Sequence, residues 1–168
     1  MSDAEHPFEI AVCSTAGWVA KGIQDVTGGK YNHTYLITPN YTWSMEPGGL
    51  VKRPHDYWGS DNPTSRLGLA GRAPYQFLDF IGAHRKVRYD FVGDGIVGLD
   101  DLTPAWMDPF WHFIEHWEDK LVPAWFCSAF ADAAAEAAGV QLFDDGRPYH
   151  AVTPMDIYRL FVAKGWAA

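Results

Sequence analysis

The sequence predicts an α+β fold. Three observations lead to it: short runs rich in Tyr, Thr, Val and Ile in the N-terminal part, a Pro39-Asn40 pair joining two of them, and seven alanines within residues 127–138. β-Branched and aromatic residues suit a pleated surface, a two-residue loop suits a hairpin, and alanine is the strongest helix former.

β-Like runs fall at residues 8–12, 31–38 and 41–46; the last two form the hairpin, which Gly48 and Gly49 end. Residues 51–71, rich in Pro, Gly, Asn and Asp, read as a long surface loop. Pro74 opens a helix over 75–83, a basic strand-like run follows at 84–92, and Gly93 and Gly95 mark a turn. Another helix is expected over about 108–121, where Trp111, Ile114 and Trp117 recur at helical spacing. The alanine-rich helix starts at Cys127 and stops at Gly139. Residues 140–143 and an Asp-Asp-Gly turn then lead to a last helix over 154–163. There Thr153 can cap, Pro154 sits at the first helical position, and Asp156 meets the free amide end.

Composition narrows the function classes. The 168 residues suit one domain, expected to span 1–168, and no segment repeats at a fixed period. With 48% hydrophobic and 20% charged residues the chain has ample core and no disordered character. Thirteen basic against 21 acidic residues give a net charge of −8, which offers no general attraction to nucleic acid or anionic lipid. The opening MSDAEHPFEI lacks a basic-then-apolar run, so no secretory signal is expected and synthesis in the cytoplasm is. Uncharged stretches such as 121–131 fall short of the ~18–20 apolar residues of a membrane span. Two cysteines, Cys13 and Cys127, lack metal-ligand spacing and read as free thiols of a reducing compartment.

Cys127 carries the chemistry. A thiol in the first turn of a strong helix feels the positive end of the helix dipole and gives up its proton more readily, and a thiolate is the form that attacks carbonyls. Ser128 and Ala129 are small enough to let a substrate approach. His33, unusual within a strand-like run, is the candidate base, and Glu46 on the next strand is a candidate third member that would orient the imidazole. Cys13, in a β-like run, reads as a core residue.

The segments Tyr-Asn-His-Thr-Tyr-Leu-Ile (31–37), Trp-Ser-Met-Glu-Pro-Gly-Gly (43–49), Trp-Phe-Cys-Ser-Ala-Phe-Ala-Asp-Ala (125–133) and Thr-Pro-Met-Asp-Ile-Tyr (153–158) occur in that order. In this they resemble the circularly permuted papain-like enzymes, the YiiX-like and LRAT-like relatives of the NlpC/P60 superfamily. In such enzymes the histidine strand precedes the cysteine helix, as His33 precedes Cys127. Gly17 to Ile23, Thr27-Gly28-Gly29 and Pro74-Tyr75-Gln76 resemble neighbouring family segments. The resemblance implies a papain-like sheet packed on the cysteine helix, with Cys127 as nucleophile, His33 as base and Glu46 as the third member. It implies a cysteine hydrolase without a cofactor, forming an acyl-enzyme on an amide, ester or thioester, with the Cys127 amide as an oxyanion donor. Peptidoglycan stem peptides are the leading expected substrate and lipid acyl chains the alternative. Without a secretory signal, a wall substrate calls for delivery, as by a phage particle. The long aromatic insert between Glu46 and Cys127 departs from the family, so specificity is not inherited.

Other constellations compete. His112-Phe-Ile-Glu115-His116 is an H-x-x-E-H pattern, the spacing of an inverzincin zinc site with His112 and His116 one helical turn apart. Only Glu118 and Glu136 lie downstream as glutamate third ligands, and the segment is crowded with aromatics. The acidic run 94–101 lacks EF-hand spacing, Gly28-Gly29-Lys30 is not a phosphate loop, and Arg85-Lys86-Val87-Arg88 reads as a solvated strand face. A non-catalytic binding module on the same scaffold is the remaining alternative.

Overall fold

A computed structural model describes residues 8–46, 48–59, 62–65, 74–85, 88–89 and 124–166. The N-terminal runs form strands β1 (Glu9–Cys13), β2 (His33–Ile37) and β3 (Thr42–Glu46), each shifted by a residue or two from its sequence boundary. The Thr38 amide and hydroxyl both donate to the Tyr41 carbonyl, at 2.9 and 2.7 Å, closing the Pro39-Asn40 loop and pairing Tyr35 with Ser44.

The chain does not leave the sheet at Gly48 and Gly49 as expected. Both glycines have positive φ, 113° and 111°, so they turn the chain back into β4 (Gly49–Arg53). The expected loop therefore begins as a strand, followed by a 3-10 turn, η1 (His55–Trp58), and the short β5 (Thr64–Ser65). The strands assemble antiparallel in the order β4-β3-β2-β1-β5.

The two faces of this sheet differ. Ile10, Val12, Leu36 and Met45 face a core shared with the helices, while Ala11, Cys13 and Tyr35 alternate to the other face, under Trp58 of η1. The helices are α1 (Trp18–Thr27), α2 (Pro74–Ala83), α3 (Cys127–Ala137) and α4 (Pro154–Lys164). All residues from Cys127 to Ala135 are buried, since the alanines let α3 approach β2, α2 and α4 closely. α4 starts with the expected Thr153 cap, which the structure completes as a capping box: the Asp156 amide donates to Thr153 Oγ1 at 3.2 Å and the Thr153 amide donates back to Asp156 Oδ2 at 3.0 Å.

A second, parallel pair joins β6 (Arg88–Tyr89) to β7 (Ala124–Trp125), directly ahead of α3. The basic run at 84–92 is thus helix end and short strand where it is described. The expected helix over 108–121, with H-x-x-E-H, and the acidic run 94–101 lie outside the described residues. Among the described residues, no helix is long and apolar enough to cross a membrane.

Candidate active site

β2 is anchored at its first residues. Asn32 Oδ1 accepts from the Thr15 amide (2.8 Å) and hydroxyl (3.0 Å), and its Nδ2 donates to the Thr15 carbonyl. This clamp fixes the chain one residue ahead of His33. The His33 ring is 8% exposed, with Nε2 2.5 Å from Ser44 Oγ on β3 and the Trp58 indole 4.8 Å away, centroid to centroid. Trp58 also stacks on Tyr35 at 5.2 Å and donates from Nε1 to Thr42 Oγ1. Burial disfavours the imidazolium and pushes the His33 pKa down to about 4, so the ring is neutral at pH 7. A neutral imidazole is the form able to accept a proton.

Glu46 lies at the end of β3. Continued by two residues, the Tyr35–Ser44 register sets Glu46 opposite His33. Its carboxylate is nevertheless engaged by Arg53 of β4, with Nη2 donating to Oε2 at 2.6 Å and Nε to Oε1 at 3.1 Å. A two-point guanidinium–carboxylate fork holds that orientation.

Cys127 is the first residue of α3, follows an extended Phe126 that provides no side-chain cap, and is 2% exposed. Ser128 turns inward and donates to the Val152 carbonyl at 2.5 Å, tying the head of the helix to the approach to α4. Ser128 thus serves as an anchor rather than only as a small neighbour of the thiol.

The structure therefore places the expected residues as follows. Cys127 belongs to the core on the helix side of the sheet, with Leu36 and Met45, whereas His33 lies against Trp58 on the other side. Among the described residues, His33 is hydrogen-bonded to Ser44, not to Cys127 or Glu46. The cysteine beside His33, on the same face of the sheet, is Cys13, its register partner on β1. Burial raises the Cys13 thiol pKa to about 12, which suits the core role expected of it. Ser44, Arg53 and Trp58 escaped the sequence reading. The hairpin register could have brought Ser44 to His33, because residues 33, 35, 44 and 46 share a face, but Arg53 required recognising β4. Among the described residues, no three His, Cys, Asp or Glu side chains gather to hold a metal.

Compared with known proteins, the chain matches no family model, no curated protein and no solved structure.

Proposed function

We propose that the chain is a papain-like cysteine hydrolase that cleaves an amide bond, with peptidoglycan stem peptides as substrate. The observation that carries this reading is Cys127 as the first residue of α3, where the positive end of the helix dipole favours developing negative charge and β2, the strand of His33, packs alongside. In the reaction His33 takes the thiol proton and the sulfur attacks the carbonyl carbon. The imidazolium then protonates the departing amine, and water hydrolyses the resulting thioester. Glu46 orients the imidazole. Because His33 and Cys127 lie on opposite faces of the sheet here, these steps require a rearrangement of β2 that carries the imidazole to the thiol and frees Glu46 from Arg53.

A second reading has its own observation. The enclosure of His33 by Ser44 and Trp58 is what a structural histidine shows, and it favours a binding module on this scaffold. The two separate on three variants assayed with stem peptides. Under the hydrolase reading Cys127→Ala and His33→Ala each lower turnover by roughly a thousandfold or more, while Cys13→Ala does not. Iodoacetamide then labels Cys127 well below pH of about 8.5, the usual thiol value, and His33→Ala removes that advantage. Full activity in Cys127→Ala or His33→Ala would sink the hydrolase reading.

A further inference from the structure

In a chain of net charge −8, the β4 edge of the sheet gathers cations. Lys52 of β4 stands with Nζ 3.8 Å from the centre of the Tyr41 ring, and the Arg85 guanidinium lies 5.6 Å from that of Trp43. Trp43 and Lys52 are register partners on β3 and β4, so the two stacked cations share one face. Both cations are exposed, and among the described residues neither has a carboxylate partner. Arg53, the next residue of β4, differs in being held by Glu46. Stacking on a ring fixes the stem of a cation and leaves its hydrogen-bond donors open to an anion.

This face continues toward the thiol. β6 lies against β4, and its Arg88 is the register partner of Ala124 on β7, the strand that runs through Phe126 into Cys127. Arg88 therefore sits in the backbone between the stacked cations and the head of α3. We infer that the Lys52–Arg85 face binds a carboxylate-bearing peptide. Resting on the cysteine-hydrolase reading, this makes the substrate acidic, with its carboxylate on this face and its scissile carbonyl at Cys127. Two open cations match one or two carboxylates, and a guanidinium meets a carboxylate in a two-point fork. A long polyanion would meet the repulsion of the remaining surface.

The experiment uses the full chain carrying Cys127→Ala and follows the anisotropy of fluorescent tetraglutamate, tetraglutamine and oligothymidylate. Tetraglutamate is expected to bind about tenfold or more tighter than tetraglutamine, and more weakly as salt rises. Lys52→Glu and Arg85→Glu each remove the preference, and together they favour tetralysine, a gain that misfolding cannot produce. Equal binding of the acidic and neutral peptides, or tighter binding of oligothymidylate, overturns the inference. A kinetic arm compares glutaryl and butyryl amides of aminocoumarin with the wild type. Turnover without preference for glutaryl overturns the inference and keeps the hydrolase reading. Charge-dependent binding without any turnover overturns the hydrolase reading and supports the anion-binding face.

Discussion

His33 and Asp132 are two buried ionisable side chains whose pH responses oppose each other. His33 binds its proton less readily folded, at about 4, than at the usual 6.5. Between those values the unfolded chain holds more protons, so the His33 contribution is complete above pH 6.5 and is lost as pH falls toward 4. The stability difference between wild type and His33→Asn, from denaturant titrations, should shrink by about 3 kcal/mol between pH 7 and 4. Asp132 of α3 is 7% exposed, and burial first, then Glu136, raises its pKa to about 6. Arg147 opposes the rise but is held by Asp145, and it also lies 3.5 Å from Asp156. Here the folded state holds the proton more tightly, so ionising Asp132 costs stability as pH rises through 6. Asp132→Asn should therefore stabilise the fold by up to about 3 kcal/mol at pH 7 and lose the advantage near pH 4, as read by melting curves.

At the scale of elements, α4 and α3 are held at their heads by different means. α4 is closed by its own side chains, through Thr153 and Asp156, and ends at Gly165 in a left-handed conformation. Thr153→Ala should cost about 1 kcal/mol in chemical denaturation, with Thr153→Ser nearly neutral. α3 has no such cap. Its head is fixed by tertiary contact, through the Ser128–Val152 hydrogen bond and burial on every side.

For the molecule as a whole, Cys13 is a reporter of stability. It ends β1, which is paired on both sides by β2 and β5, and it is 2% exposed. Reaching its sulfur requires opening the sheet, so Cys13 labelling should be slow in the native protein and should accelerate with denaturant as steeply as global unfolding does. Labelling of Cys13 that is fast and insensitive to denaturant would show local opening at the β1 end instead.

Features confined to a few neighbouring residues were legible in the sequence. The alanine run of α3, the Thr153-Pro154-Asp156 start of α4, the hairpin loop after β2 and the core position of Cys13 each follow from local propensity, capping or alternation. Contacts across strands were not. Gly48 and Gly49 look like a stop until their positive φ is seen to return the chain as β4, and only then does Arg53 reach Glu46. The surroundings of His33 depend on Ser44 from one strand and Trp58 from the turn after another. Which face a strand residue joins changes with a single step of register, and what covers that face comes from chain remote in sequence. Local chemistry therefore names the elements and the candidate residues, while the folding of distant segments onto one sheet settles their partners.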